Sequence, residues 1–383
     1  MKKNGHKLLT LAALLGTATG VIHITNRFID ATSQLKDMLE QPHGKTYDWR
    51  FGKIHYTKQG HGSPLLLVHD IMPGASGYEW NAVENQLATE HTVYTIDLLG
   101  CGRSEKAEIT YTNFVFVQLL CDFVKNVIHE ETDIIASGFS GSFAIMAYRN
   151  NSDYIRKIML VNPPSLSSLK QAPCEDNKLF KHIIELPVFG TLIYHIACSR
   201  EAISSMFMEQ LFYNPFHVTD TLVDTYYESA HKGGSNAKYL YSSYIGKYLN
   251  ISINNAVESS DACIYIISGK KEASGSLIAE EYQKLNSSIE TATIPIPDIF
   301  LTSKILSIFW SRYQFFCKQK SSCLQDSPPA ADCFSGIIGI ISLRRSVILP
   351  GDFFVSLEHY GVITYGIKKW GCHIVICYPH IGQ

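Results

Sequence analysis

The sequence predicts an α/β fold, with a mostly parallel sheet, helices on both faces and an inserted helical cap. Three observations predict it. Short apolar segments rich in Val, Ile and Leu recur between residues 64 and 295, as buried strands do. One of these segments runs through a Gly-rich turn directly into a helix-forming segment. Between residues 165 and 257 the strand pattern stops, and segments whose apolar residues have helical spacing replace it. This change predicts the cap.

The composition is that of an ordinary folded enzyme. The 383 residues are 46% apolar, enough to bury a large core in one or two domains. The formal net charge is −2, which argues against a nucleic-acid partner. The ten cysteines include no Cys-x-x-Cys pair and no zinc spacing, and no phosphate-loop or dinucleotide fingerprint occurs. We therefore predict no metal and no cofactor.

The N-terminal segment differs in kind from the rest of the chain. Lysines precede residues 8–25, which carry no Asp, Glu, Lys or Arg and are just long enough to span a bilayer. We predict that residues 1–28 form a membrane anchor with its positive end inside, or a signal for export, and that residues 29–46 connect it to the enzyme. The alternative is an amphipathic helix that lies on the domain.

Two apolar strands precede the Gly-rich turn, and each ends in a polar motif. Residues 64–68 form the first, which His69 and Asp70 follow. Residues 93–97 form the second, which leads into Asp-x-x-Gly-x-Gly-x-Ser at residues 97–104. The second pattern is highly specific.

The Gly-rich turn has the arrangement of a nucleophile elbow. Residues 132–136 predict a strand, residues 143–149 predict a helix, and residues 138–142 between them read Gly-x-Ser-Gly-Ser. Such a turn must be sharp and strained so that the hydroxyl of Ser140 stands clear of the sheet. The alternative is a serine in an ordinary Gly-rich turn.

Three more strands complete the pattern, at residues 155–163, 263–272 and 288–295. The predicted cap, residues 165–257, lies between the first and second of them. A group of tyrosines in the cap either lines a substrate pocket or only packs the cap: Tyr226, Tyr227, Tyr239, Tyr241, Tyr244 and Tyr248.

In their order along the chain, these motifs resemble the α/β-hydrolase family from about residue 47 to residue 295. The resemblance implies a hydrolase core made of residues 47–164 and 258–295, with the cap inserted between them. Two positions depart from the family pattern. Asp70 stands where the family's His-Gly motif has glycine, and Ser142 replaces the last glycine of the elbow.

The same resemblance implies the residues of the site. Ser140 would be the nucleophile, and Glu272, at the end of its strand, would be the triad carboxylate. The oxyanion would be held by the backbone N–H groups of Ile71 and Gly141. The carboxylate of Asp70 would oppose negative charge there unless it points away. His69 would brace the loop.

The implied activity is hydrolysis of an ester or other acyl bond in a small molecule by a Ser–acid–His mechanism. Epoxide hydrolases and haloalkane dehalogenases carry Asp at the elbow, so Ser140 makes them less favoured. The histidine of the mechanism is missing, because the family places it just after the last strand and no histidine occurs between His231 and His359.

Reading the tail in a shifted frame restores such a histidine. If each codon combines the last base of one residue's codon with the first two of the next, Asp298 and Ile299 give His or Tyr. With permitted codons the stretch reads Arg-His-Phe-Pro-His-Leu-Glu-Asp-Pro and continues to a stop at Cys317, which is similar to the family's histidine loop and closing helix. We therefore expect one lost base near the codon of Pro295 and an out-of-frame tail over residues 296–383.

Two alternatives remain open. A genuine C-terminal domain could supply His359 or His373 as the base. A non-catalytic protein could instead keep the fold and bind a small molecule. If the frame has shifted, the chain as written is a serine hydrolase that has lost its catalytic histidine.

Overall fold

The computed structural model describes residues 2–39, 44–212, 215–269, 273–294, 353–358, 362–367 and 372–377. An eight-stranded sheet has the order β1-β2-β4-β3-β5-β6-β7-β8. Its strands are β1 Gly44–Trp49, β2 Gly52–Gln59, β3 Ser63–Val68, β4 His91–Ile96, β5 Thr132–Ser137, β6 Ile155–Val161, β7 Cys263–Gly269 and β8 Glu290–Ile294. β2 pairs antiparallel with β1 and β4, and all other neighbours are parallel, so the predicted α/β fold with a mostly parallel sheet is confirmed.

Apolar residues on consecutive strand positions separate into two cores, because successive side chains point to opposite faces. Leu66 and Ile134 belong to one core with Phe143, and Leu65 and Ile135 belong to the other with Trp80. The helices that flank these strands are α2 Asn81–Leu87, α3 Asn113–Phe123, α4 Ser140–Asn150 and α12 Ala273–Leu285. Helices therefore cover both faces of the sheet, as predicted.

The interval between β6 and β7 is helical in the residues that the structure describes. Its helices are α5 Leu166–Leu169, α6 Glu175–Glu185, α7 Phe189–Ala197, α8 Arg200–Met206, α9 Asp220–His231, α10 Lys238–Ile245 and α11 Asn254–Glu258. α8 and α9 enclose a separate apolar cluster that includes Ile203, Phe207 and Tyr226. This insertion is the predicted helical cap.

The N-terminal segment forms one helix, α1 Lys2–Thr32, which continues past the predicted anchor boundary at residue 28. Its C-terminal part contacts the cap: the Asn26 side chain donates to the Val188 carbonyl at 2.8 Å, and His195 Nε2 lies 3.5 Å from an Asp30 oxygen. Among the described residues, no helix combines the length and the apolar character that a bilayer span needs. The predicted anchor therefore has no support here, and a membrane or exported location stays a prediction.

The tail contributes a separate antiparallel sheet in the order β11-β10-β9, formed by β9 Phe353–Glu358, β10 Val362–Ile367 and β11 Cys372–Cys377. Of the two tail histidines considered as the base, His373 lies in β11 and His359 lies outside the described residues. The proposed change of reading frame stays a prediction.

Candidate active site

The candidate site lies at the carboxyl ends of β3 and β5. These strands are parallel neighbours, with Val68 opposite Ala136, so the residues that follow each strand meet at one edge of the sheet. The loop that begins with His69 and Asp70 therefore faces the elbow. This is the edge at which ligands bind in open α/β sheets.

The apex of the elbow is Gly138, the first residue after β5. Its N–H donates to the Val161 carbonyl at 2.8 Å, and its φ of +51° lies in the left-handed region that favours glycine. A Cβ at this position would lie 2.1 Å from Cγ of Asp70. A side chain at the apex is therefore incompatible with the present position of Asp70.

Ser140 lies two residues beyond the apex, at the start of α4. It is completely buried, and its hydroxyl donates to the His69 carbonyl at 2.6 Å. The expectation that this hydroxyl stands clear of the sheet is thus corrected: the turn is complete before Ser140 is reached, so its side chain points back into the junction with β3. Its role as nucleophile stays a prediction, and the observed bond ties the elbow to the neighbouring loop.

The carboxylate of Asp70 occupies the expected oxyanion hole. Its Oδ1 accepts hydrogen bonds from the N–H groups of Ile71 and Phe139, both at 2.7 Å. Ile71 was predicted as a donor, but the second predicted donor, Gly141, bonds to the Gly138 carbonyl at 3.2 Å instead. The residue after the apex, rather than the residue after the serine, supplies the second N–H. Asp70 points into the hole and not away from it.

His69 braces this loop. Its Nδ1 donates to the Asp70 carbonyl at 2.6 Å, and its Nε2 accepts from the Leu98 N–H at 3.0 Å. Both ring nitrogens are therefore in use, in the neutral form of the ring. Burial lowers the pKa of His69, which favours that form.

A second carboxylate, Glu79, lies beside Asp70 and has no mark in the sequence that would have identified it. Its Oε2 accepts from the Asp70 N–H at 2.9 Å. Burial raises the pKa of Asp70 to about 7, the charge of Glu79 adds to the rise, and the two N–H donors oppose it. Burial likewise raises the pKa of Glu79 to about 6, against hydrogen bonds from Ser137 and from the Asp70 N–H.

We expect this carboxyl pair to make stability fall as the pH rises. A carboxyl whose pKa is raised on folding binds more protons in the folded protein than in the unfolded chain. The stabilisation that Asp70 contributes is therefore complete at a pH below 3.8, its ordinary pKa, and is lost as the pH rises through about 7, its pKa in the folded protein. The difference in free energy of unfolding between the wild-type protein and Asp70→Asn should decline across this interval by up to about 1.4 kcal/mol per pH unit. Urea titrations between pH 4 and 8 measure it, and a flat difference would contradict the assignment.

The predicted Asp-x-x-Gly-x-Gly-x-Ser motif anchors the adjacent loops. Asp97 is completely buried, and its carboxylate accepts from the N–H of Gly77 at 2.7 Å and from the N–H and Nε of Arg103 at 2.8 and 2.7 Å. Ser104 donates to the Asp97 carbonyl at 2.5 Å. The motif thus holds together the segments that follow β3 and β4.

A cavity adjoins the site between the Ile71 loop and the cap. Tyr241 and Tyr244 from the predicted tyrosine group line it, together with Tyr194. Tyr226 instead packs edge-on against Phe207 inside the cap, with ring centroids 4.8 Å apart. Two members of the tyrosine group therefore line a cavity and a third packs the cap, and a role in substrate binding stays a prediction.

The predicted triad carboxylate, Glu272, lies outside the described residues. Within the residues that are described, no group of three or more His, Cys, Asp or Glu side chains is arranged to hold a metal ion.

Curated proteins match part of the chain. A soluble epoxide hydrolase from Corynebacterium sp. (strain C12) is 28% identical over 110 residues, which is 29% of this chain and 38% of that protein. A 2-hydroxymuconate semialdehyde hydrolase from Pseudomonas sp. (strain CF600) is 27% identical over 110 residues, 28% of this chain and 39% of that protein. The chain therefore spans about two fifths of the length of these relatives.

Solved structures show the same fold over a longer span. The alignment with the epoxide hydrolase CorEH covers 72% of this chain and 98% of the CorEH chain, at 18% identity and a TM-score of 0.56. The alignment with a serine hydrolase involved in carbazole degradation covers 72% of this chain and 99% of that enzyme, at 16% identity and a TM-score of 0.57. The alignment with a bacterial membrane phospholipase A covers 83% of this chain and 100% of the phospholipase, at 14% identity and a TM-score of 0.55.

The family model described as the alpha/beta hydrolase family matches residues 65–270, more than half of the chain. This span runs from within β3 to the end of β7 and includes the elbow, the loop of His69 and the whole cap. The chain belongs to the alpha/beta hydrolase family.

Proposed function

We propose that the protein hydrolyses an ester or other acyl bond in a small molecule at the ends of β3 and β5. The observation that carries this proposal is the convergence of two backbone N–H groups, from Ile71 and Phe139, on a single oxygen position at 2.7 Å. Donors at this distance stabilise the charge that develops on oxygen during hydrolysis. Membership of a family of hydrolases supports the same reaction type.

The serine mechanism is the first form of this proposal. Ser140 would attack, Glu272 would orient the base, and the base would be the histidine that the predicted change of reading frame would have removed from this chain. The Gly-x-Ser turn between β5 and α4 supports it. It requires Ser140 to leave the His69 carbonyl and Asp70 to leave the oxyanion hole, because both occupy the positions that a reacting acyl group needs.

A fluorophosphonate probe tests this form. If Ser140 is the nucleophile, the protein restored to the parent frame should become labelled, and Ser140→Ala should abolish both the label and nearly all hydrolysis of 4-nitrophenyl butyrate. Ser142→Ala is the matched control, since Ser142 is buried on the same turn and its hydroxyl bonds to the Phe139 carbonyl. Unchanged labelling of Ser140→Ala would refute the assignment.

A second candidate is a non-catalytic protein that binds a small molecule. The specific observation in its favour is that the Asp70 oxygen already fills the position intended for an oxyanion. Such a protein would release no product in either reading frame, whereas ligands of the adjoining cavity would still raise its thermal stability.

A further inference from the structure

The N-terminal helix α1 has two different faces in its C-terminal half. The face toward the cap follows helical spacing and is buried or half-buried: residues 22, 26, 29 and 33. Val21, Ile24 and Phe28 follow the same spacing on the opposite face, and all three side chains are exposed. Within the part of the chain that the structure describes, α1 is therefore packed on one side and leaves an apolar stripe uncovered on the other.

The cap helix α7 presents a second apolar stripe beside the first. Its buried face includes His195, which lies 3.5 Å from Asp30 of α1, and α1 also bonds to Val188 at the start of α7. Phe189, Ile193 and Ile196 recur at helical spacing on α7, and all three are exposed. Because α1 and α7 contact each other, the two stripes adjoin. Together they form what we call the outer face: Val21, Ile24, Phe28, Phe189, Ile193 and Ile196.

The hydroxyl groups of α1 are satisfied inside the helix. Four threonine hydroxyls donate to the carbonyl four residues earlier, at 2.9, 2.8, 3.0 and 2.8 Å: Thr17, Thr19, Thr25 and Thr32. A side chain bonded in this way needs no water to complete its hydrogen bonds. These threonines can therefore enter a medium of low polarity without leaving a donor unpaired.

The charge of α1 indicates what such a medium would be. Residues 1–29 contain four Lys or Arg and no Asp or Glu, and the first acidic residue is Asp30. A second copy of the chain that docked through the same helix would bring these like charges together. Anionic lipid headgroups would instead attract them, because basic residues near a negatively charged leaflet bind it electrostatically.

We propose that the outer face binds the surface of an anionic lipid bilayer, with α1 lying along the headgroups and not crossing the membrane. An apolar face accompanied by basic residues is the composition of helices that lie in the interface. The contacts of Asn26 and Asp30 with the cap favour this orientation, because a helix that crossed the bilayer would have to leave the cap.

This inference does not depend on the proposed hydrolysis, but it relates the cavity to the membrane. Tyr194 lies on the buried face of α7 and lines the cavity. The docked protein would therefore hold its cavity on the far side of a single helix from the lipid, a distance of about 10 Å.

Co-sedimentation of the full chain with lipid vesicles tests the proposal. We expect binding to vesicles of phosphatidylcholine and phosphatidylserine at a ratio of about 2:1, and binding at least about 10-fold weaker to phosphatidylcholine alone. Alkaline carbonate should release the chain from the membranes of the cells that express it. No binding, equal binding to both vesicles, or retention after carbonate would each overturn the proposal.

Two double variants with similarly exposed positions separate the outer face from general stickiness. Phe28→Ser with Ile196→Ser changes side chains that are 67% and 63% exposed, and should weaken binding at least about 10-fold. The control, Phe114→Ser with Leu277→Ser, changes side chains that are 62% and 52% exposed on helices of the core, and should bind as the wild-type chain does.

All four positions are exposed, so both variants should keep the thermal unfolding midpoint of the wild-type chain, and a loss of binding would not reflect misfolding. Equal binding by the two double variants would refute the role of the outer face. If the chain bound no vesicles but formed a dimer that only the outer-face variant dissociated, the partner of this face would be a second copy and the proposal would be wrong.

Discussion

Inserting one base near the codon of Pro295 should raise the rate of hydrolysis by about 10⁴- to 10⁶-fold, the range that separates an enzyme with its catalytic base from one without it. If the Asp298 codon ends in C, the restored frame has a histidine at the junction of the Asp298 and Ile299 codons, just after the last strand. This base would take the proton of Ser140. Turnover of an activated ester by the two chains measures the effect.

The same insertion should also make the protein more soluble and more resistant to protease beyond Pro295. Apolar stretches such as residues 337–341 would no longer follow the core. A repaired chain whose restored histidine codon is changed to alanine separates the chemical effect from the folding effect: it should be as soluble as the repaired chain but remain nearly inactive. If the unrepaired chain equals the repaired one in rate, solubility and resistance, its tail is a real domain.

Asp97→Ala should lower the free energy of unfolding by about 3–5 kcal/mol, as expected when one partner of a buried ion pair is removed. Burial alone would raise the pKa of Asp97, but the charge and hydrogen bonds of Arg103 outweigh it and hold this pKa well below its usual range. The variant would leave the Arg103 guanidinium, whose side chain is 9% exposed, without its carboxylate. Urea unfolding followed by circular dichroism measures the loss.

Glu175→Ala is the control for Asp97→Ala, since it also breaks a carboxylate–cation pair. The Glu175 side chain is 87% exposed and that of Lys178 is 46% exposed, so solvent screens their attraction and we expect no measurable change. Similar midpoints for Asp97→Ala and Glu175→Ala would contradict the role assigned to the buried motif.

The strands were predictable from sequence because they are buried on both faces, and such strands read as continuous apolar runs. Residues 64–68 and 132–136 mark β3 and β5 to within a residue, and the change to helical spacing marks the cap. The Asp97 motif was also recognisable, because Arg103 and Ser104, which bond to Asp97, lie six and seven residues after it in the chain.

The chemistry at the elbow was less predictable, because it depends on where the strand stops. A Gly-x-Ser motif is compatible with a turn whose apex is either Gly138 or Ser140. The pairing of β5 with β6 places Ser137 opposite Val161 as the last paired residue, so the turn must begin at Gly138. The direction of the Asp70 side chain depends on Phe139, which is 69 residues away in the chain.

The N-terminal helix illustrates a limit of a different kind. A long uncharged segment favours a bilayer or an apolar protein surface equally, and its hydropathy alone does not distinguish them. The contact between Asn26 and Val188 is made with a residue 162 positions away. Only the folded arrangement of the cap reveals it.

The overlap between Asp70 and a Cβ at position 138 also constrains the order in which this site could change during evolution. A serine at Gly138 would meet the Asp70 carboxyl at 2.1 Å and would occupy a left-handed backbone position. Replacement of Asp70 by a small residue removes that overlap first and leaves Gly138 intact. A change at residue 70 before residue 138 therefore introduces the apex side chain without this overlap, whereas in the reverse order the Asp70 carboxyl group has to move aside.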